Sequence, residues 1–429
     1  MLAHLVAPLL ARRGIHYGWV MAAVTFAVML STSAALGVPG VMLLPLRTEF
    51  GWPVTAISGA LALRLLLFGG MGPFAASILL RYGYRATVVT AIVLISAGLG
   101  LATQITATWM LWATWGLVLG LGSGLTAMVL GATVSNRWFA ERRGLVMGLL
   151  GASSATGQLA IMPFAAYLAE HVGWRLAAVP AVGACLLAGL LALLLGRNEP
   201  AELGLAPYGA KATPVQAARP VGNPVTATLG ALRAASRVPM FWILAGSFFI
   251  CGLSTNGLIQ THFLPLCHDF GLGEVQAASV LAMMGAFDFV GTVASGWLSD
   301  RYDNRWLLFW YYGLRGLSLM ALPFTDFTLY GLSLFAVFYG LDWIATVPPT
   351  VKLATKAFGR DQGPVIFGWV FAAHQMGAAT AALTAGLSRD LLSSYLPAFY
   401  AAGFMCLVAA IAVLFAHVRQ GSPAMAGAD

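Results

Sequence analysis

Residues Gln276–Arg305 read QAASVLAMMGAFDFVGTVASGWLSDRYDNR. The stretch 276–298 carries a single charge, Asp288, and as a helix it is long enough to cross a hydrocarbon core of about 30 Å. The next seven positions hold Asp300, Arg301, Asp303 and Arg305. An apolar run of this length closed by a charged cluster is a membrane helix followed by a loop. The whole 429-residue chain has the same character: 59% apolar, 9% charged, mean hydropathy +0.83. A soluble domain carries about a quarter charged residues, so a soluble enzyme, a disordered chain and a peripheral membrane protein are excluded. The 49 glycines fit a membrane protein, whose helices pack closely through small residues.

Twelve stretches have the required length and are numbered as predicted helices α1–α12: 17–44, 54–79, 86–104, 109–134, 145–168, 174–195, 240–265, 276–298, 306–323, 327–350, 364–387 and 395–417. The interval 196–239 places Glu199, Glu202, Lys211, Arg219, Arg233 and Arg237 among six prolines. That composition builds no core, so it reads as a linker between two six-helix halves. The expected organisation is a tail 1–16, a bundle 17–195, the linker 196–239, a bundle 240–417 and a tail 418–429. Met1–His16 lacks a cleavage-type end and is expected to be a retained tail, not a signal peptide.

Orientation follows from the basic residues. With the N-terminus inside, 18 of the 23 Lys and Arg fall on the cytoplasmic side; Arg47, Arg175 and Arg389 face outward, and Arg64 and Arg315 lie inside helices. Both termini are expected in the cytoplasm, with the chain in an inner or plasma membrane. The net charge of +8 is then a topology signal that needs no nucleic-acid partner. Cys185, Cys251, Cys267 and Cys406 form no CxxC pair, so no metal, disulfide or cofactor set is predicted. No GxxxxGK[ST] loop is present, and the glycines of 118–124 sit inside a membrane helix, where packing explains them. No nucleophile–base set appears, and no obligate protein partner is evident; the chain is expected not to be an enzyme.

The halves resemble each other. Leu80-Arg81-Tyr82-Gly83-Tyr84-Arg85 follows α2 as Asp300-Arg301-Tyr302-Asp303-Asn304-Arg305 follows α8, and Phe139–Gly144 precedes α5 as Phe358–Gly363 precedes α11. Parallel six-helix repeats around a central site are a basis for alternating access. Together with Gly296-Trp297-Leu298-Ser299-Asp300-Arg301, these loops resemble the major facilitator superfamily from about Tyr17 to His417. Leu80 stands where that family has the Asp of its first loop. Within it, Gly285–Thr292 and His16-Tyr17-Gly18-Trp19-Val20 resemble the monocarboxylate and oxalate/formate porters, although Thr292 replaces those porters' Arg. The resemblance implies an all-α polytopic membrane protein: twelve transmembrane helices in two pseudo-symmetric six-helix bundles, the major facilitator fold.

Charges inside the hydrocarbon are costly and need a reason. Four lie there: Arg64 on α2, Asp288 on α8, Arg315 on α9 and Asp342 on α10. Arg315 and Asp342 fall at similar depth on consecutive helices and are expected to pair as a buried brace. Asp288 is one turn from Thr292 and is expected to carry the coupled proton, or to join that brace. Arg64 has no acid within its half of the membrane interior. Its planar fork is expected to be completed by an anion, the substrate's carboxylate or Asp288 across the cavity, with snorkelling or bonding to main-chain carbonyls as the competing role. His374 and Gln375 on α11 are candidate substrate groups, His374 also for protons; a neutral core histidine is the plainer reading of it. Asn256 and Gln260 on α7, Gln158 on α5, and Tyr339 with Trp343 on α10 complete the expected binding set, although polar and aromatic residues also simply pack membrane helices. Asp300, Arg301, Arg142 and Arg143 resemble the family's conformational latch. The function expected is secondary active transport of a small organic anion with protons across the bilayer. Efflux of an amphipathic compound is the alternative, and a membrane sensor on the same fold is a third.

Overall fold

The computed structural model describes residues 2–210 and 224–416. Helix occupies each of the twelve predicted stretches: α1 Gly18–Phe50, α2 Val54–Ala75, α3 Arg81–Ala102, α4 Thr108–Trp138, α5 Arg143–Ala160 prolonged by Met162–Leu168, and α6 Val179–Leu195. The second set is α7 Pro239–Asp269, α8 Glu274–Ser299, α9 Asn304–Ala321, α10 Leu329–Gly359, α11 Val365–Leu392 and α12 Leu396–Leu414. In lipid a helix bonds its own N–H and C=O groups within one segment, which an open strand does not. Among the described residues no strand forms, and an isolated bridge joins Phe139 to Tyr208. Nine of the described helices are long and apolar enough to cross on their own, and the bent pair Met162–Leu176 with Val179–Leu195 brings the number to as many as ten. The difference from twelve lies in α5, interrupted at Ile161, and in α9, whose Arg305 and Arg315 dilute its apolarity.

Besides α5, three described helices depart from regular winding in their interior. α4 widens to a π turn over Trp112–Leu119, and α7 over Leu253–Ile259, the run that holds Ser254, Thr255 and Asn256. Such turns are frequent at functional positions. α10 stops at Asp342, passes through 343–346 as turn, and resumes at Val347. Gly83 and Gly359 take φ of +85° and +84°, a region side chains disfavour, and there the chain bends from α2 into α3 and from α10 into α11.

Glycines let backbones touch. A side chain at Gly252 would strike the His374 carbonyl, and one at Gly377 the Phe249 carbonyl, which fixes α7 onto α11. Gly291 against Leu341 and Gly340 against Met284 do the same for α8 and α10. The first six helices meet the last six along α2–α11 and α5–α8. Phe68 and Phe74 of α2 face Phe371 and Trp369 of α11, with ring centroids 5.8 and 6.0 Å apart.

The stretch between the bundles is partly seated on the first one. Tyr208 exchanges main-chain hydrogen bonds with Trp138, Ala140 and Glu141. His16 Nε2 bonds the Ala206 carbonyl at 2.9 Å, and the Tyr17 hydroxyl donates to the Leu195 carbonyl at 2.7 Å. The residues 206–208 thus clasp the start of α1 and the end of α4. Residues 211–223, including Lys211 and Arg219, lie outside the described residues.

Candidate functional site

The break in α10 leaves main-chain groups at mid-membrane that need partners, because an unpaired buried amide or carbonyl costs about 1–3 kcal/mol. The buried charges supply them. Arg315, 1% exposed, donates from Nε to Asp342 Oδ2 at 2.6 Å, and from Nη2 to the carbonyls of Asp342 at 2.5 Å and Trp343 at 3.1 Å. Its Nη1 reaches Cys251 Sγ at 3.0 Å and Ser254 Oγ at 3.5 Å on α7. From α8, Asp288 Oδ1 accepts the Ile344 amide at 2.8 Å and the Thr292 hydroxyl at 3.0 Å, and Ser295 donates to the Ala345 carbonyl at 2.5 Å. The Tyr339 hydroxyl donates to the Ser254 carbonyl in the π turn of α7 at 2.8 Å. Three of the four intramembrane charges therefore converge on one irregular segment. Asp288 bonds the α10 backbone beside the Arg315–Asp342 pair, so it joins that cluster through the main chain.

Arg64 stands apart from that cluster. It is 3% exposed, and its Nη1 donates to the Leu36 carbonyl of α1 at 2.7 Å. Its Nε has no partner, and among the described residues no carboxylate pairs with it. The main-chain role weighed from sequence is thus occupied by one of its nitrogens, while donor capacity remains. α4 approaches closely behind it, with Gly120 set against the Arg64 backbone.

Two other candidates, Gln375 and Gln260, sit where the halves meet. Gln375 is fully buried at the α2–α11 contact beside Gly69, with both amide atoms unpartnered. Gln260 on α7 has a free Nε2, and its carbonyl lies against Gly40 of α1. His374 is held between Phe248 and Phe371, at centroid distances of 5.0 and 5.6 Å, with Nδ1 free. His262 bonds the Ala382 carbonyl at 2.8 Å, as a core histidine does. Trp343 packs edge-on against Tyr339 at 5.7 Å within the α10 break. Asn256 lies in the π turn of α7. The side chains of Gln158 and Arg143 lie outside what is described.

Three of the residues that resemble a latch have partners within their own half or in the linker seated on it. Asp300 pairs with Lys352 at the end of α10, inside the same half. Arg301 covers the Trp297 ring at 4.0 Å, and Arg142 lies over Tyr208 at 5.9 Å. A hydrogen-bonded contact between the halves was missed from sequence. Asp390, at the end of α11, accepts the amides of Val54 at 3.2 Å and Thr55 at 2.8 Å and bonds the Thr55 hydroxyl. It caps α2 from the other half. A signal existed: α2 begins after Pro53, with no side-chain cap of its own, which leaves its first amides in need of an outside acceptor.

A model of the Major Facilitator Superfamily matches residues 21–382. Among curated relatives, Monocarboxylate transporter 12-B of Danio rerio is 26% identical over 93% of this chain and 86% of its own. Monocarboxylate transporter 13 of Bos taurus is 26% identical over 91% and 87%, and the uncharacterized MFS-type transporter YcxA of Bacillus subtilis (strain 168) is 24% identical over 82% and 84%. Among solved structures, a D-xylose-proton symporter superposes with a TM-score of 0.70 at 15% identity, over 93% of this chain and 98% of its own. The xylose transporter XylE from E. coli, in a partially occluded inward open conformation, gives 0.69 at 14%, over 95% and 99%. At these identities the structures speak for the fold.

Proposed function

The chain belongs to the major facilitator superfamily, a family of membrane transporters, and we propose that it carries a small organic anion of the monocarboxylate type together with a proton. The observation that supports an anion is Arg64: a buried guanidinium with a free Nε and no carboxylate partner among the described residues. A bound carboxylate supplies the missing countercharge bidentately. Gln260, Gln375, Asn256, His374, Tyr339, Trp343 and Gln158 are proposed to line the path, and the names of the curated relatives agree with this substrate class.

Asp288 is the proposed proton carrier. Its carboxylate accepts the Ile344 amide, and protonation removes part of that acceptor capacity. Loading a proton therefore loosens the segment 343–346. In the proposed cycle the bundles 17–195 and 240–417 rock about the site, the α2–Asp390 cap closes one face, and both termini are cytoplasmic in an inner or plasma membrane. A second reading has one observation in its favour: Thr292, where the resembling porters have an Arg, is engaged with Asp288, so the site holds one cation fewer for an anion. That reading is efflux of an amphipathic compound. Uptake into proteoliposomes under an imposed pH gradient separates the two. Proton-driven carboxylate flux is expected; export of a hydrophobic cation with no carboxylate flux excludes the anion.

A further inference from the structure

We propose that the short helix Leu2–Ala11, with Arg12 and Arg13 behind it, is an in-plane anchor for anionic phospholipid headgroups on the face that carries both termini. The helix packs against α6, burying Ala3 and half-burying Val6, Ala7 and Leu10 against the core. Its other side presents Leu5 and Leu9, 66% and 60% exposed, with Arg12 next along the same helical line and Arg13 beside it. α6 turns Leu187, Leu190 and Leu194 outward as lipid-facing wall, so the leucines of the short helix extend a surface that already meets acyl chains.

The charges point to the headgroup chemistry. No acid precedes Glu49 in the chain, and among the described residues neither Arg12 nor Arg13 meets a carboxylate or a ring. An apolar stripe ending in two uncompensated guanidinium groups is ill-matched to water. It suits a leaflet whose acyl boundary receives Leu5 and Leu9 while its phosphates receive the arginines. The turn after Arg13 leads directly to His16 and Tyr17, which bond the Ala206 and Leu195 carbonyls, so lipid held here is held next to the start of α1. The inference does not rest on the carboxylate site.

The test uses the full chain in nanodiscs of phosphatidylglycerol or phosphatidylcholine. Leu5→Cys and Leu9→Cys, both at exposed positions, carry a nitroxide; Cys185, Cys251, Cys267 and Cys406 are buried, and label uptake by the unsubstituted chain is the control. Power-saturation resonance is expected to find both labels open to oxygen and shielded from a water-soluble nickel chelate. In mixed bilayers, spin-labelled phosphatidylglycerol is expected to associate in preference to phosphatidylcholine, and Arg12→Gln and Arg13→Gln each to lower that preference about fivefold. Full nickel access at Leu5 and Leu9 in phosphatidylglycerol overturns the anchor. A lipid preference unmoved in the double Gln variant overturns the headgroup assignment.

Discussion

Arg315 holds the carboxylate and the main-chain carbonyl of Asp342 together, at 2.6 and 2.5 Å, so one guanidinium closes an ion pair and a helix end at once. With Trp343, Cys251 and Ser254 it spans α7, α9 and α10. An ammonium has no equivalent planar fork. The pair is thus better described as a cap on the α10 break than as a brace between side chains.

Removing one partner leaves the other charge buried. Arg315→Met is expected to cost about 3–5 kcal/mol, read as a lower melting temperature in nanodiscs. Arg315→Lys is expected to rescue little, because a single ammonium nitrogen does not reproduce the separate Nε and Nη2 positions that reach the carboxylate and the two carbonyls. The double variant Arg315→Met, Asp342→Leu is expected to lose less than the two single losses combined. Strict additivity contradicts the coupling.

At Asp288 two substitutions separate the proton from the scaffold. Asp288→Asn keeps an oxygen for the Ile344 amide and is expected to stay folded, while transport loses its pH dependence. Asp288→Ala orphans that amide and is expected to cost about 1–3 kcal/mol as well. An Asn variant with an unchanged pH profile removes Asp288 from proton coupling.

The Asp300–Lys352 bridge supplies a control for those profiles. The Lys352 ammonium hydrogen-bonds the Asp300 carboxyl and holds it below its ordinary 3.8, with Arg301 adding to the effect. A lowered carboxylate pKa stabilises the fold above the unfolded value, and that contribution disappears as pH falls through the folded one. Across about pH 5–8 it is therefore constant. Asp300→Asn is expected to leave the midpoint of the transport pH profile in place; a displaced midpoint means that this bridge takes part in coupling.

Asp390→Ala is expected to uncap α2, costing about 1 kcal/mol and weakening the contact between halves on that face. Spin labels at the exposed Thr48 and Leu392 measure the outcome, with longer distances gaining population in the variant. An unchanged distribution means that the cap does not hold the face closed.

The apolar runs and the basic loops made the fold legible, because crossing a bilayer imposes a length and topology imposes a charge bias. The pairing of Arg315 with Asp342 was legible from depth along two consecutive helices. The break in α10 was missed, although Gly340 precedes it and Pro348 and Pro349 open the helix that resumes after it; the partners that satisfy its main-chain groups come from α8 and α9, far away in sequence. Asp390 escaped for a related reason, since its partners Val54 and Thr55 lie more than 300 residues away. The hydrogen bonds of Asp390 across the halves use a helix end lacking its own cap, a feature that short-loop motifs do not report.

The central claim is that Arg64 holds the carboxylate of the transported solute. Binding of a small monocarboxylate to the purified chain, by calorimetry or ligand-dependent melting, is the direct measurement, made on wild type, Arg64→Lys and Arg64→Gln. Loss of a charge-assisted bidentate contact predicts an affinity at least tenfold weaker in Arg64→Gln, with partial recovery in Arg64→Lys. Equal affinities in all three, with folding intact, would contradict the account and leave Arg64 as a main-chain tether to Leu36.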